Sequence, residues 1–291
     1  MKLLIAVDSA ASAEVLIDAI GIRPWPEGTA AHVLSIVADM DVPEEVWRAE
    51  GYRSGAVRRE METRGEQITA VARRLEEIGI PAEVVVARGD ARHLIPFYAR
   101  KWSSDLIFVR AHVRKDVTHW MLGSVARAVV ATAPCTVQIV RDAGEDNDQS
   151  LDSGRRVLLA TDGSKTSAQA ARAVAARPWP QGSEFKVISV EEPWTIKSSK
   201  VRDEKEAQAA VNTAEQVLAS AGLKATGAVL SGNTKESILR EAQSWAADLI
   251  VVGSHGRRGF RRFLLGSVSE AVAMHAHCSV VVVRTPRQAE S

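Results

Sequence analysis

The chain contains two copies of one sequence pattern, and this repeat constrains the fold more than any other feature. The string RPWPEG at residues 23–28 returns as RPWPQG at residues 177–182, an offset of 154. Later in the chain LGSVARAV at residues 122–129 returns as LGSVSEAV at residues 265–272, an offset of 143. Further matches lie between these in the same order. A collinear repeat across 291 residues predicts two domains of one fold.

The repeat also predicts where the domains begin and end. We place the first domain at residues 1–141 and the second at residues 155–286. Residues 142–154 are polar and rich in turn-forming residues, which is typical of a linker. Because the offset drops from 154 to 143, the first copy has 11 extra residues, which we place near residues 39–65.

Short apolar runs alternate with helical patterns in both copies. The predicted elements of the second copy are strands at 156–161, 185–190, 226–230, 248–253 and 279–284, and helices at 166–177, 203–221, 234–245 and 267–275. Strands that are apolar throughout and separated by helices indicate a parallel sheet covered on both faces. We expect Thr234 to cap the third helix. In the first copy, we expect Gly51 and Gly55 to interrupt the second helix, within residues 42–78.

Composition excludes several classes of protein. With 37 basic and 36 acidic residues the net charge is +1, so neither nucleic acid nor an anionic membrane is an expected partner. Two cysteines, Cys135 and Cys278, are too few for a disulfide framework, and we expect buried structural thiols. No apolar run approaches the roughly 20 residues of a membrane span. These features predict a cytoplasmic protein.

The loop after the fourth strand of the second copy has the spacing G-x2-G-x9-G-S, formed by Gly253, Gly256, Gly266 and Ser267. At Gly253 a side chain would block the close approach of a ligand. Gly256 permits a positive φ or a tight backbone contact. The loop lies at the carboxyl end of a parallel strand, where open α/β sheets bind ligands.

The last part of this motif predicts a phosphate site. A helix begins at Ser267, so the N–H groups of Ser267, Val268 and Ser269 point out of its N-terminus. The hydroxyls of Ser267 and Ser269 would add two donors. The alternative interpretation is a flexible glycine connection that ends in an N-cap serine.

The first copy departs from the motif. Arg110 replaces the first glycine and Val113 the second, whereas Asp8, Gly123 and Ser124 are kept. A long and a branched side chain should obstruct a bound phosphate ligand, so we expect this site to be closed or altered. If the first copy tolerates Arg and Val here, moving them into the second copy should abolish binding and change stability little.

Other residues have two interpretations. A displaced loop in the first copy could still bind an anion through Arg110 and Arg114. The cluster Arg257, Arg258, Arg261 and Arg262 is a solvated basic loop from which one side chain could reach a phosphate. We expect the repeated Trp25 and Trp179 to be packing residues. We expect His275 and His277 to cap a helix rather than to bind zinc.

The repeat and the glycine loop together resemble the universal stress protein family, over both copies except the linker and the insert. In that family this loop marks the ATP-binding branch. The resemblance implies an α/β, Rossmann-like fold of two tandem doubly wound five-stranded parallel sheets, each of order 3-2-1-4-5. It also implies that ATP binds in the second half, with Mg²⁺. The implied nucleotide-binding residues are Ala160, Asp162, Val190, Gly253, His255, Gly256, Gly266, Ser267, Val268 and Ser269.

The leading hypothesis is a regulatory protein whose ATP-bound and free states differ in affinity for an unknown protein partner. The loop contains no Asp or Glu to act as a base, so we expect turnover to be slow or absent. A slow ATPase and a structural protein with a vestigial site are the alternatives. The apolar fifth strands should pair at their sheet edges as an intramolecular pseudo-dimer, and a homodimer of whole chains stays open as well.

Overall fold

A computed structural model of the chain describes residues 1–22, 24–38, 50–111, 122–141, 154–192, 204–256 and 265–285. The elements of the first half are β1 (Lys2–Ala6), α1 (Ala10–Gly21), β2 (Ala30–Val37), α2 (Glu50–Glu77), β3 (Ala82–Arg88), α3 (Ala91–Lys101), β4 (Leu106–Arg110), α4 (Ser124–Thr132) and β5 (Thr136–Val140). Those of the second half are β6 (Arg156–Ala160), α5 (Lys165–Ala175), β7 (Glu184–Glu191), α6 (Glu204–Ala219), β8 (Ala225–Ser231), α7 (Thr234–Ser244), β9 (Leu249–Gly253), α8 (Ser267–His275) and β10 (Ser279–Val283).

All ten strands form one sheet, of order β3-β2-β1-β4-β5-β10-β9-β6-β7-β8. The strands within each half are parallel, and each half has the predicted order 3-2-1-4-5. The halves join where β5 and β10 pair antiparallel, with Ile139 opposite Val280 and Val137 opposite Val282. The predicted pairing of the two fifth strands is therefore confirmed. It turns two five-stranded sheets into one mixed sheet.

Helices cover both faces of this sheet. Among the described residues the largest cluster of buried side chains lies beneath α3, α4, α7 and α8 and continues across both halves. On the opposite face each half has its own cluster, beneath α1 and α2 in the first and α5 and α6 in the second. The apolar strands pack on both of their faces, which is why they lack an alternating pattern. No helix in the described part of the chain is long and apolar enough to span a membrane.

Residues that recur in both halves serve packing. The indole Nε1 of Trp25 donates to Ile20 O, and that of Trp179 donates to Val174 O, each at 2.9 Å. Burial raises the pKa of the Cys135 thiol to about 12, so it stays protonated at neutral pH. The packing interpretation of these residues is confirmed.

Two predictions about helix interiors and ends are wrong. Helix α2 continues through Gly51 and Gly55 for 28 residues, against 16 in the equivalent α6. A glycine inside a helix costs only about 1 kcal/mol, which the packing of the rest of α2 offsets. The N-cap of α7 is Asn233 rather than Thr234, whose hydroxyl donates to Glu192 Oε1 at 2.7 Å. Residues 39–49 of the expected insert and 142–153 of the expected linker lie outside the described residues.

The C-terminal end of α8 is satisfied partly by a residue of the other half. Arg141 of the first half donates from its guanidinium to Ala273 O at 2.6 Å and to Cys278 O at 2.9 Å. The His277 side chain instead forms a hydrogen bond with the backbone of Ala247. His275 lies in the last turn of α8, as predicted, but neither histidine is the group that satisfies Ala273 O. A residue that is distant in sequence does so, and local spacing could not reveal it.

Candidate functional site

The predicted site residues of the second half come together at one edge of the sheet. The chain runs from β6 to β7 on one side and returns to β9 on the other, so strand order reverses between β6 and β9. Ala160 ends β6, Gly253 ends β9, and α8 begins just beyond at Ser267. A reversal of this kind leaves a crevice at the carboxyl ends of the strands, where α/β sheets bind ligands.

Gly253 is required by the packing of α5. A Cβ atom at this position would lie 2.8 Å from the carbonyl carbon of Thr166 and 2.9 Å from the amide nitrogen of Ser167. These are backbone atoms of the first turn of α5, which cannot yield as a side chain can. The expectation that arginine at Gly253 changes stability little is therefore wrong, and the glycine is needed whether or not a ligand is bound.

The first half has Arg110 at the equivalent position, and its loop between the first strand and the first helix also differs. Asp8 is followed directly by Ser9, the N-cap of α1. In the second half Gly163 separates Asp162 from Ser164, the N-cap of α5. The loop between strand and helix is thus one residue shorter in the first half, so the two loops cannot be exchanged residue by residue.

Gly256 allows the loop to lie against a carboxylate. A Cβ atom there would lie 2.8 Å from Oδ2 of Asp162. Its φ is outside the left-handed region, so tight contact rather than positive φ is the reason for glycine. The other oxygen of Asp162 accepts from the Ser164 N–H at 3.0 Å. Asp162 is half-buried and faces the glycine loop, in the crevice predicted to hold the sugar.

The N-terminus of α8 is built on Gly266. This N-cap has no side chain, and its N–H donates to Ser254 O at 2.8 Å. The Glu270 N–H is the first in α8 to bond within the helix, to Gly266 O at 2.8 Å. The N–H groups of Ser267, Val268 and Ser269 precede it and form the open, positive end of the helix.

One donor assigned to this cradle is already used. The hydroxyl of Ser269 is buried and donates to Gly253 O at 2.6 Å. It therefore holds the start of α8 against the end of β9, and only its backbone N–H is available to an anion. Ser267 is exposed, and the role of its hydroxyl as a donor stays a prediction.

A cluster of hydroxyls that the sequence argument missed fixes the middle of the loop. The hydroxyls of Ser164 and Thr166, at the start of α5, both donate to the carbonyl of His255. Ser254 Oγ lies 3.0 Å from His255 Nδ1. The signal was present in the string TDGSKTS at residues 161–167, whose hydroxyls lie where that loop meets the glycine loop.

Val190 borders the crevice on the β7 side. It is 3% exposed and lies two residues beyond Ile188, the last residue of β7 in register with β6. Its side chain packs in the core that the halves share. Of the other predicted groups, Arg257, Arg258, Arg261 and Arg262 lie outside the described residues, and so do Val113 and Arg114.

The first half keeps a cavity at the equivalent edge. Its volume is about 210 Å³, and it is lined by the ends of β1, β2 and β4 and by the first residues of α3 and α4. Asp8, Arg110, Gly123 and Ser124 all contribute to the lining. Among the described residues this edge therefore keeps a cavity, and whether the site is closed or altered stays a prediction because residues 112–121 lie outside them.

The two doubly wound units, joined edge to edge, define a tandem α/β protein with a glycine-lined crevice at a topological switch point. The model of the universal stress protein family matches residues 1–141 and again residues 154–284. The chain therefore belongs to the universal stress protein family.

Individual relatives agree with this assignment. A universal stress protein of Methanocaldococcus jannaschii is 32% identical over 145 residues, which is 46% of this chain and 84% of the relative. A crystal structure of a universal stress protein from Archaeoglobus fulgidus has a TM-score of 0.69 at 22% identity, over 97% of this chain and 98% of that one. A Pseudomonas aeruginosa structure described as a putative universal stress protein has a TM-score of 0.63 at 16% identity. That match covers 98% of this chain and 93% of the other. At such identities the two structures show a shared fold.

Proposed function

We propose that the chain is an ATP-binding regulatory protein of the stress response, with one ATP site in the second half. The observation that carries the proposal is that the open N-terminus of α8 and the Asp162 carboxylate lie at the same edge of the sheet, with glycines where side chains would intrude. Gly256 leaves room for Asp162, and Gly266 leaves the first turn of α8 uncapped by a side chain. This is a combination that a nucleotide requires, because phosphate needs exposed N–H groups and ribose needs an acceptor.

In this proposal each residue has a distinct role. The N–H groups of residues 267–269 hold the phosphates, and Asp162 accepts from a ribose hydroxyl. Ala160 and Val190 border the base. The backbone of Gly253 and Gly256 lets the loop lie close to the nucleotide, and His255 packs beside it, held by Thr166 and Ser164.

Turnover is proposed to be slow or absent. Residues 253–269 contain no Asp or Glu that could act as a general base. In the described part of the chain no group of three or more His, Cys, Asp or Glu could hold a metal ion. Mg²⁺ would then be held mainly by phosphate oxygens and water. We expect a steady-state rate below about 1 s⁻¹, the lower end of typical enzymes.

Titration calorimetry of Gly256→Ala tests the site. The new Cβ would meet Oδ2 of Asp162, the end of a side chain that can rotate away, so the fold should survive while the carboxylate is displaced. Loss of a hydrogen bond to a charged group predicts about tenfold weaker ATP binding. The control is Gly21→Ala, where a Cβ meets nothing within 4 Å. A wild-type stoichiometry of about one ATP per chain is expected. Two equivalent sites, or undiminished affinity in Gly256→Ala, would contradict the proposal.

A further inference from the structure

The second half has a hydroxyl and a carboxylate at one end of its crevice, where the first half has neither. The hydroxyl of Thr234, the first residue of α7, donates to Oε1 of Glu192 at 2.7 Å. The residues that correspond to this pair in the repeat are Ala91 and Ala38. Because alanine has no polar side chain, this hydrogen bond belongs only to the half that keeps the glycine spacing.

The pair lies at the end of the crevice that Val190 borders. The Val190 side chain packs in the core cluster beneath α7, and Glu192, two residues later, bonds Thr234 at the start of the same helix. The counterpart of Thr234 in the first half is Ala91, and that residue lines the first-half cavity. So does Ile36, the counterpart of Val190. The repeat therefore places Thr234 in the wall of the second-half crevice, with Glu192 held against it.

Glu192 keeps one carboxylate oxygen for a further donor. Its Oε1 accepts from Thr234, whereas no described residue donates to its Oε2 or forms an ion pair with it. The side chain is partly buried. An ionised carboxylate only accepts hydrogen bonds, so it attracts an N–H group and repels a carbonyl oxygen. Because Thr234 already holds the carboxylate, less side-chain freedom is lost when a ligand binds.

We propose that Glu192 contacts the base of the bound nucleotide and selects a purine that carries a 6-amino group over one that lacks it. The inference rests on the proposed ATP site, in which the base lies beside Val190. The amino group of adenine donates to Oε2 of Glu192, and Thr234 is the positioning residue that holds this carboxylate. A base without the amino group leaves the carboxylate unpaired, and a site built for a hydrogen bond rejects a ligand that cannot form it.

Titration calorimetry of the full chain with two nucleotides tests the inference. The probes are ATP and purine riboside 5′-triphosphate, which differs from ATP only in lacking the 6-amino group. The wild type should bind ATP at least about tenfold more tightly, because the analogue cannot form the hydrogen bond to a charged acceptor. Glu192→Ala should lower this ratio of affinities about tenfold. Both probes carry the same phosphates, so the loss of a negative charge near them affects both affinities alike and leaves the ratio unchanged.

Two further variants separate contact with the base from a structural role. Thr234→Val keeps the shape of the side chain and removes the hydroxyl that holds Glu192, so it should lower the ratio about threefold. Glu191→Ala is the matched control, since it removes the neighbouring carboxylate. Glu191 follows Val190 in β7, and successive side chains of a strand point to opposite faces, so Glu191 faces away from α7. It should leave the ratio at the wild-type value.

The inference fails if the wild type binds both nucleotides equally, or if Glu192→Ala keeps the wild-type ratio. It also fails if Glu191→Ala lowers the ratio as much as Glu192→Ala does. Each of these results, obtained with measurable ATP binding, would leave the proposed ATP site standing and overturn only the role of Glu192. If neither nucleotide binds the wild type, the proposed ATP site and the role of Glu192 are both wrong.

Discussion

Arg284 and Arg141 make equivalent contacts in opposite directions: each donates to backbone carbonyls of the other half. Each follows the fifth strand of its own half and crosses to the last helix of the other. Arg284 donates to Val130 O at 2.8 Å and Ala131 O at 2.7 Å, at the end of α4. Arg141 donates to Ala273 O in α8. Helix α4 begins at the first-half cavity, and helix α8 begins at the glycine loop. The two arginine contacts therefore hold each helix at the end opposite its cavity or loop.

The exchange should contribute strongly to stability. Arg141 is 5% exposed, and burial lowers the pKa of its guanidinium to about 10, which marks a poorly solvated charge held by carbonyl groups. Arg141→Ala leaves buried carbonyls without a donor, and we expect a loss of about 2–4 kcal/mol in urea unfolding. Arg127→Ala is the control, because its 3.0 Å ion pair with Glu270 also crosses between the halves but is exposed. It should cost less than about 1 kcal/mol. Equal losses would refute a special role for Arg141.

Gly253 should tolerate no side chain even without nucleotide. Gly253→Ala forces the backbone of Thr166 to move, and we expect the unfolding free energy of the unliganded protein to fall by about 1–3 kcal/mol. Gly65→Ala provides a helical control, since its Cβ would meet only Val86 Cγ2 at 3.9 Å, an ordinary contact. That change should be neutral or stabilising. If Gly253→Ala is as stable as wild type, the close approach of β9 to α5 is wrong.

The hydroxyl of Ser269 should matter for folding more than that of Ser267. Ser269→Ala removes the 2.6 Å bond to Gly253 O and leaves a buried carbonyl without this donor, so we expect a loss of about 1–2 kcal/mol by denaturant titration. Ser267 is exposed, and Ser267→Ala should change stability by less than about 0.5 kcal/mol. The reverse order of effects would show that the hydroxyl of Ser269 is free to serve a ligand.

Stability should fall in mild acid partly because of two histidines. Burial lowers the pKa of His32 and that of His277. The His32 ring stacks on the Trp102 ring, with 4.1 Å between the ring centroids. A lowered pKa in the folded state means that the unfolded chain takes up protons first. The stability that the two neutral, buried rings contribute is therefore complete above the ordinary histidine pKa of 6.5. It is lost as the pH falls below that value.

The measurement is urea unfolding of wild type and of His32→Phe/His277→Gln between about pH 7.5 and 5.5. The double variant should lose less stability across this range, because neither replacement titrates. His93→Gln is the control, since the His93 side chain is 84% exposed. Parallel pH profiles for wild type and the double variant would argue against the burial of these two rings.

The sequence by itself predicts the repeat, the strand order implied by the resemblance, and most element boundaries. Helix α8 was expected at residues 267–275 and spans Ser267–His275. Apolar runs and helical periodicity are local properties of the sequence. The apolar residues of the predicted elements supply most of the buried core. The glycine spacing likewise predicts the end of β9 and the start of α8, although neither Gly253 nor Gly266 adopts a positive φ.

Only the tertiary structure decided what several of these residues do. Gly253 leaves room for the backbone of Thr166, and the hydroxyl of Ser269 donates to Gly253 O. The cap of α8 comes from Arg141, more than 130 residues away in sequence. The first-half cavity is lined by three strands and three helices, which meet only in the folded chain. Each of these outcomes depends on contacts between segments distant in sequence, and local patterns do not record such contacts because many different packings satisfy the same pattern.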